Sequence, residues 1–360
     1  MTKSQTSRAT SRTTGPATGP ATGSVTGSAT ATAPPVTVVI PTIGRPSLHE
    51  TLAAIGPGPD VLVVDDRPGP AGALPPLPVP DGVRVLRSGG RGPAAARNVG
   101  WRAATTPWVA FVDDDVVPMP GWADALAGDL ATLPADVGGC QGRLEVPLPV
   151  HRLPTDAERH TAGLVVSEWI TADMAYRRTA LEAAGGFDER FPGAYREDCD
   201  LALRVEASGF SLVKGERLVR HPVRDDGFWA SVHHQRGNAS DALMRRVHGP
   251  GWRAATGGRP GRLKIHALTT GMGLLAAGLA GAASVQAARN RPASRTAGAA
   301  KAAGLAWLGL TAQFAWSRIA PGPRTPEEVM RMVVTSAVIP PVACAHRLRG
   351  ELAARRGGGS

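Results

Sequence analysis

The sequence predicts an α/β fold in which a mostly parallel sheet with flanking helices is followed by a helical, membrane-associated C-terminal region. Short β-branched runs alternate with helix-like segments between residues 36 and 115, an order typical of a parallel sheet buried on both faces. Hydrophobic residues make up 42% of the chain and charged residues 19%, a balance that allows a hydrophobic core. Long uncharged stretches rich in Ala and Gly follow residue 262, and these predict the helical region.

Residues 1–35 form a low-complexity leader of Thr, Ala, Gly and Ser without an apolar run. Such a segment buries too little surface to offset the entropy of ordering, so we expect it to be disordered and without chemistry. A secretory signal would need roughly 7–15 consecutive apolar residues, which the leader lacks. The folded α/β part is expected over residues 36–260, and a basic, apolar helical region over 261–360.

Charge divides the chain into an acidic front and a basic back. Residues 1–211 hold 18 Lys and Arg against 23 Asp and Glu, whereas residues 212–360 hold 22 against 7. Basic segments commonly contact nucleic acid or an anionic membrane surface, and a merely solvated surface is the alternative. The three cysteines, Cys140, Cys199 and Cys344, are too sparse for a disulfide scaffold and suit a reducing compartment.

The predicted order begins at Val36, where the β-branched run VTVVI indicates a buried strand that Pro41 ends. Ser47 and Glu50 have the spacing of a capping box, which predicts a short helix through Ile55. The other elements predicted in this half are strands at 61–66, 83–88 and 108–115 and a helix at 92–104.

Beyond residue 121 the pattern mixes α and β. Strands are predicted at 137–146 and 170–178, a helix with acidic residues in its first turn at 196–209, and a strand or hairpin at 210–222. In the C-terminal region the uncharged stretches are 267–288, 302–317 and 332–345. We expect the last of these to be broken by Pro340 and Pro341, because proline removes a helix hydrogen bond and clashes with the preceding turn.

Two of the predicted strands end in clustered carboxylates. Asp65 and Asp66 follow one, and the triplet Asp113–Asp115 follows another. The carboxyl ends of parallel strands form the ligand-binding edge of such a sheet, and carboxylates gathered there would repel one another without a cation. Mg²⁺ and Mn²⁺ prefer oxygen ligands and often share them with phosphates. The first and third residues of the triplet, Asp113 and Asp115, are therefore expected to hold a metal–diphosphate, with helix capping or loop solvation as the alternative. A third acidic group, Glu197–Asp200, opens the helix at 196.

Five segments together resemble the family 2 glycosyltransferases with the GT-A fold, whose sheet is Rossmann-like. They are VVIPTIGRPSL, VLVVDDRP, GPAAARNVGWRAA, WVAFVDDDVVP and GGFDERFPGAYREDCDLALRV, in the family's order and spacing over roughly residues 36–235. The resemblance implies an inverting transfer of a sugar from a UDP-, GDP- or dTDP-sugar to an acceptor hydroxyl, helped by Mn²⁺ or Mg²⁺. The acceptor would be a glycan or a lipid-linked molecule in the synthesis of cell-envelope polysaccharide, glycolipid or a related glycoconjugate.

The resemblance also implies roles for individual residues. It makes Asp198 the catalytic base, and the start of a helix is expected to lower the pKa of this residue and keep it ionised. The nucleotide sugar would be bound by Pro41, Thr42, Asp65, Asp66, Arg97, Asp113 and Asp114. The metal would be held by Asp113, Asp115 and His221, although a lone histidine at this position more often has a structural role.

The chain departs from the family pattern in two places. Arg67 and Pro68 stand where the family usually has Gly-Ser, and HHQRG (233–237) only loosely resembles the Q-x-x-R-W motif of processive synthases, which favours a single-addition enzyme. A sugar-1-phosphate nucleotidyltransferase is one alternative, but it should carry a lysine in its Gly-rich loop, and PTIGRPS has none. A non-catalytic module that binds a membrane or nucleic acid is another, although the acidic clusters would then lack a purpose.

The C-terminal stretches raise the question of the membrane. The stretch 267–288 is long enough to span at about 20 residues, but the basic linker 289–301 would then lie outside, against the positive-inside tendency. Helices that lie in the plane of an anionic membrane surface, or insert partly, remove this conflict. We therefore expect the protein on the cytoplasmic side of the cell membrane, without nucleic acid as a partner. A soluble helical subdomain is the alternative.

Overall fold

The computed structural model describes residues 33–70, 72, 74–258 and 260–356. The predicted disordered leader therefore lies, apart from residues 33–35, outside the described residues. The described chain contains one eight-stranded sheet in the order β3-β2-β1-β4-β7-β6-β8-β5. Its strands are β1 Val36–Thr42, β2 Asp60–Asp65, β3 Arg84–Arg87, β4 Trp108–Val112, β5 Val117–Pro118, β6 Val137–Glu145, β7 Asp173–Arg177 and β8 Ser211–Arg220.

The sheet is parallel in its first half and mixed in its second. β1 pairs in parallel with β2 and β4, and β2 pairs in parallel with β3. β7 then runs antiparallel to both β4 and β6, while β8 is parallel to β6 and antiparallel to the short β5. The predicted α/β class is confirmed, and the parallel pairing is concentrated in the half that carries the regular strand–helix alternation.

Helices cover both faces of the sheet. In β1, Val38 and Ile40 point into one hydrophobic core, which the helices Ser47–Ile55 and Trp122–Ala131 cover. Val39 points into the core on the other face, which the helices Pro93–Ala103, Arg178–Ala184 and Glu197–Ala207 cover. This alternation is the two-residue period of a strand that is buried on both faces. The helices up to residue 255 are α1 Ser47–Ile55, α2 Pro93–Ala103, α3 Trp122–Ala131, α4 Asp156–Ala162, α5 Arg178–Ala184, α6 Glu197–Ala207, α7 Ala230–His233, α8 Gly237–His248 and α9 Trp252–Ala255.

The predicted helix 47–55 is present, but its predicted capping box is wrong. Pro46 already has helical backbone angles and occupies the N-cap position, so Ser47 is the first helical residue and its side chain caps nothing. A capping box does occur at the start of α4, where the Thr155 side chain accepts from the Glu158 backbone N–H and Glu158 accepts from that of Thr155. The sequence analysis did not assign that helix.

Three long helices form the C-terminal region: α10 Leu263–Ala288, α11 Ser294–Ile319 and α12 Pro326–Arg356. The predicted break at Pro340 and Pro341 is wrong, because α12 continues through both prolines. Ile339, Pro340 and Ala343 are buried, so packing offsets the missing backbone hydrogen bonds. By length and composition α10 and α12 are able to cross a membrane, and only 6% of the most apolar window of α10 is buried in the protein.

Candidate functional site

The carboxyl ends of the parallel strands meet at one edge of the sheet and bring the predicted acidic motifs together. Thr42 ends β1 and Asp65 ends β2, and the two are register partners. The Asp66 N–H donates to the Thr42 carbonyl at 2.8 Å, which continues the pairing one residue beyond the strand. Pro41 is buried within β1 opposite Val64. Asp113 follows directly after β4, the other parallel neighbour of β1.

Arg97 joins the aspartate triplet to the acidic start of α6. It projects from α2 and is 2% exposed. One guanidinium nitrogen donates to Asp113 Oδ1 at 2.7 Å, and another donates to Glu197 Oε1 at 2.9 Å. The guanidinium also lies 5.6 Å from the centre of the Phe187 ring. Arg97 thus links two motifs that are about 80 residues apart in the sequence. Its predicted contact with the donor stays a prediction.

Glu197 and Asp198 share the first turn of α6 but differ in their surroundings. Glu197 is 2% exposed, and desolvation, reinforced by the adjacent Asp198 and opposed by Arg97, raises its pKa to about 7. Its second carboxyl oxygen, Oε2, is buried and has no hydrogen-bond partner among the described residues. Glu197 is therefore fixed in the protein interior, with a proton available near neutral pH.

Asp198 is the partly exposed acidic residue of this turn. Its Oδ1 accepts the Cys199 backbone N–H at 2.7 Å, a contact typical of a helix start. The prediction of a lowered pKa is nevertheless wrong: enough protein surrounds the carboxyl group that desolvation raises its pKa, and this outweighs the N–H bond. Asp200, in contrast, is fully buried and bonds to Arg204 and His248. Of the three acidic residues in this group, only Asp198 is not buried.

The three residues of the aspartate triplet have different environments. Asp114 is 1% exposed and accepts hydrogen bonds from Thr42 Oγ1 and Arg45 Nη1, both at 2.6 Å. Its carboxylate thus ties the loop after β1 to the end of β4. The Asp115 carboxylate lies near other cationic groups, with Oδ2 2.8 Å from Arg224 Nη2 and Oδ1 3.8 Å from His221 Nε2.

The chemistry of Asp113, Asp115 and His221 fits a divalent cation. The separation of 3.8 Å between Asp115 Oδ1 and His221 Nε2 is too long for a hydrogen bond. His221 Nδ1 lies 3.0 Å from the Pro222 carbonyl, which favours a proton on Nδ1 and leaves the Nε2 lone pair facing Asp115. Across the described residues, however, no three His, Cys, Asp or Glu side chains are gathered closely enough to hold a metal ion in this arrangement. Phosphate oxygens would have to complete the coordination.

The carboxylates after β2 are already engaged by the protein. Arg67 forms a fork on Asp65, with Nε–Oδ1 and Nη2–Oδ2 distances of 2.9 and 2.8 Å, and this hydrogen bonding lowers the pKa of Asp65. Asp66 accepts from the Ser88 hydroxyl at 2.6 Å and from the Gly92 N–H at 2.9 Å. The departure at Arg67 thus has a structural consequence, because this arginine covers the carboxylate that the resemblance assigns to the nucleoside.

Arg45, Arg224 and Glu197 were not among the predicted site residues, although all three contact residues that were. Glu197 belongs to the acidic group that opens α6, but its spacing does not distinguish it from the other carboxylates of that turn. Arg45 and Arg224 lie in irregular segments, where neither periodicity nor a motif predicts the direction of a side chain.

Comparison with known families adds to this geometry. The model of the family described as Glycosyl transferase family 2 matches residues 37–182, which contain β1 to β7 and the aspartate triplet. The matched residues thus carry most of the sheet and the aspartate triplet. The sheet is mixed and has helices on both faces, in agreement with the predicted α/β class.

Two curated relatives are similar to the chain. Both are called pre-mycofactocin glycosyltransferase, from Mycobacterium tuberculosis strains CDC 1551 / Oshkosh and ATCC 25618 / H37Rv, and both are 33% identical over 195 residues. The alignment covers 49% of this chain and 40% of each relative. The similarity thus spans less than half the length of those proteins.

The solved structures that are similar to this chain include two glycosyltransferases. A mannosyltransferase from Pyrobaculum calidifontis in complex with GDP-mannose and Mn²⁺ is 17% identical, with a TM-score of 0.46, and the match covers 88% of this chain and 87% of that one. Glucosyl-3-phosphoglycerate synthase from M. tuberculosis, in complex with Mn²⁺, UDP-glucose and phosphoglyceric acid, is 18% identical, with a TM-score of 0.40. That match covers 60% of this chain and 81% of the synthase.

Proposed function

We propose that this chain is an inverting, metal-dependent glycosyltransferase that moves a sugar from a nucleotide-diphosphate sugar to an acceptor hydroxyl. The observation that carries the proposal is the Arg97 bridge, because it brings the Asp113 end of the aspartate triplet and the start of α6 to one site. The family match over residues 37–182 supports the same activity. A site of this kind requires a metal-binding half and a base, and the bridge links the residues that we propose for each.

Asp198 would act as the base. As the acceptor oxygen bonds to the anomeric carbon, the bond from that carbon to the diphosphate oxygen breaks, and the hydroxyl proton passes to the Asp198 carboxylate. One displacement inverts the configuration and requires only one base. The buried Glu197 and Arg97 would orient this turn of α6, since both side chains are fixed by their mutual hydrogen bond.

Asp113, Asp115 and His221 would hold Mn²⁺ or Mg²⁺, which when bound supplies positive charge to the departing diphosphate. Arg45 and Arg224 lie beside Asp115 and would add cationic groups near the same oxygens. Thr42 and Asp114 would support this loop from beneath, through the hydrogen bond between their side chains. Pro41, Asp65 and Asp66 would lie on the nucleoside side of the donor.

The C-terminal helices would attach the enzyme to the cytoplasmic face of the cell membrane, where it would take part in cell-envelope glycoconjugate synthesis. Large apolar side chains are exposed on these helices, including Leu274, Leu305 and Leu308, which are 70%, 69% and 54% exposed. The region 261–360 also holds 13 Lys and Arg against 3 Asp and Glu. Exposed apolar side chains together with basic ones are typical of a helix that lies on an anionic surface.

A donor screen tests the proposal. Purified protein is incubated with UDP-, GDP- and dTDP-sugars in the presence of Mn²⁺ or Mg²⁺, and release of the free nucleoside diphosphate is measured. We expect one nucleotide to be released faster than the other two, and EDTA to stop the release. Release from no donor, or release at an unchanged rate in EDTA, would contradict the proposed activity or its metal dependence respectively.

A further inference from the structure

A cavity of about 750 Å³ extends from the candidate site to the C-terminal helices. Arg45, His221 and Arg224 line one end, next to Asp115. Residues of α10, α11 and α12 line the other end, among them Phe314. The volume is that of a site for a small organic molecule. The cavity is thus placed to present an acceptor to the donor end.

The walls of this cavity are strongly cationic. Six arginines line it, against two aspartates, Asp156 and Asp226. Two of the arginines, Arg159 and Arg318, are already paired with Asp156 at 3.3 and 2.7 Å. The remaining four are Arg45, Arg224, Arg262 and Arg331.

Arg262 and Arg331 provide the least neutralised charge at the end formed by the helices. Within the described part of the chain, Arg262 has no carboxylate within 4.0 Å, and its guanidinium lies over the Phe314 ring at 5.0 Å. Arg331 reaches Glu327 only at 3.6 Å, and its buried Nε has no hydrogen-bond partner among the described residues. A buried donor without a partner costs free energy, so Arg331 is suited to an anionic ligand, and Arg262 adds an exposed cationic group at the same end of the cavity.

The same end of the cavity also has an apolar wall. Leu263, Phe314, Met332 and Ile339 line it, and they belong to the helices whose outer faces expose Leu274 and Leu305. A ligand whose anionic group meets the arginines therefore has apolar surface available beside it, continuous with the membrane-facing helices. A small hydrophilic anion would leave this wall uncovered.

We infer that this cavity binds the acceptor, and that the acceptor is an anionic amphiphile whose phosphate or carboxylate group pairs with Arg262 and Arg331. The inference rests on the proposed function, because it assigns the acceptor of that same site. The acceptor hydroxyl would extend toward Ala194 and Tyr195, which line the cavity just before the start of α6 that carries Asp198, and the apolar part would lie along α11 and α12.

Calorimetric titration of the full-length protein tests this binding. The probes are dodecyl phosphate and dodecyl maltoside, each below its critical micelle concentration, and inorganic phosphate. We expect dodecyl phosphate to bind more tightly than either of the others. The double variant R262Q/R331Q should weaken that binding at least about tenfold, since each arginine contributes a charge-assisted contact. R262K/R331K should retain most of the affinity.

The matched control is R291Q/R295Q, which removes the same charge from exposed residues outside the cavity. Equal affinity of the wild type, R262Q/R331Q and the control for dodecyl phosphate would overturn the inference. Inorganic phosphate binding as tightly as dodecyl phosphate would overturn the amphiphilic part and indicate a soluble anionic acceptor. Binding that depends on the two arginines, in a protein that releases nucleotide from no donor, would contradict the proposed function while leaving the cavity assignment standing.

Discussion

The two neighbouring carboxylates at the start of α6 show how burial separates the roles of adjacent residues. Glu197 points into the protein and bonds to Arg97, whereas Asp198 keeps part of its surface open. On a helix, neighbouring side chains point about 100° apart, so only one of the two can face the acceptor. The structure favours Asp198 for this position by its exposure, a criterion that the sequence does not contain.

Replacing Asp198 with Asn tests its role as the base. The D198N variant keeps the shape of the side chain but cannot accept the hydroxyl proton, so we expect turnover to fall by about 10²–10⁴-fold. Donor affinity, measured by titration with the nucleotide sugar, should change little because the donor contacts lie on other elements. D200N is a comparison in which a buried structural carboxylate is changed. Transfer by D198N at more than about a tenth of the normal rate would show that another residue is the base.

Replacing Asp115 with Asn tests the metal site. The variant loses a negative ligand that would link the protein to the diphosphate, so metal-dependent donor binding should fall by at least about tenfold. D114N is the matched neighbour: its carboxylate is 1% exposed and bonds only within the protein, so its main effect should be on stability. Near-normal turnover of D115N, insensitive to EDTA, would mean that the metal site is misassigned.

The raised pKa of Glu197 predicts a pH dependence of stability. Because its pKa rises from an ordinary value near 4.5 to about 7 in the folded protein, the folded state holds this proton more tightly than the unfolded state does. Its contribution is therefore complete below about pH 4.5 and is lost as the pH rises through 7. The free energy of unfolding of the wild type, relative to that of E197Q, should fall between pH 5 and 8, on the order of 1–3 kcal/mol. A difference that is constant with pH would contradict the raised pKa.

The sequence predicted the anionic half of the site better than the cationic half. The carboxylates of Asp65 and Asp113 follow parallel strands, so the fold pattern places them near one edge, whereas Asp198 was implied only by the family resemblance. Arg67 and Arg224 lie in irregular segments between elements, and their directions depend on loop conformations that periodicity does not encode. The pKa of Asp198 was mispredicted for a related reason, since the helix start is local and visible in the sequence, whereas desolvation depends on tertiary packing.

At the scale of elements, the close approach of α2 to the sheet positions Arg97. Gly100 lies one turn after Arg97 and faces β1 and β2, where an added Cβ atom would overlap Val39 and contact Val64. Glycine at this point lets the helix lie close to the strands. The helix can therefore deliver the guanidinium of Arg97 beneath the end of β4.

Replacing Gly100 with Ala should destabilise the protein by about 1–3 kcal/mol, because overpacking shifts the helix away from the strands. Gly128 in α3 is the matched control, since an added Cβ there meets no heavy atom within 4 Å. G128A should stabilise the protein by about 0.5–1 kcal/mol, the usual gain from replacing glycine in a helix. Urea unfolding measures both changes. A G100A variant as stable as the wild type would show that α2 packs less tightly than described.

Elements with a strong local pattern were predicted well. The strands β1, β2 and β4 and the helix α2 appear within a few residues of their predicted ranges, because β-branched runs and a glycine–proline start specify them locally. The proline pair of α12 misled the prediction, since a local rule against proline was outweighed by packing around Ile339 and Ala343. Tertiary contacts thus decided what local sequence did not.

At the scale of the whole described chain, Arg318 connects the C-terminal helices to the part of the chain that carries the sheet. Its guanidinium donates to Asp156 and Ser231 of that part, at 2.7 and 2.9 Å, and to Thr335 and Ser336 of α12, at 2.8 and 3.1 Å. The side chain is 9% exposed, so these bonds are shielded from water. Because one buried guanidinium bonds to both regions, it links the position of the C-terminal helices to that of the candidate site. Membrane binding is therefore best tested in the full-length protein.

Exposed leucines of the C-terminal helices should be required for membrane binding. L274Q/L305Q removes two such side chains from α10 and α11, each 69–70% exposed. Burying a leucine in lipid contributes about 1.5–3 kcal/mol, so the double variant should bind anionic vesicles at least about tenfold more weakly than the wild type. V150Q/V166Q is the matched control, because it changes two exposed apolar residues outside these helices, 100% and 81% exposed. Vesicle cosedimentation measures the binding.

The salt dependence of vesicle binding separates its electrostatic contribution from its apolar contribution. Wild-type binding to anionic vesicles should weaken as ionic strength rises, since the Debye length shortens from about 10 Å at 0.1 M to about 3 Å at 1 M. Binding by L274Q/L305Q should be the more sensitive to salt, because the basic side chains then provide most of what remains. Equal binding by the wild type and L274Q/L305Q at every salt concentration would show that the leucines do not enter lipid. It would favour a helical subdomain that packs only on protein.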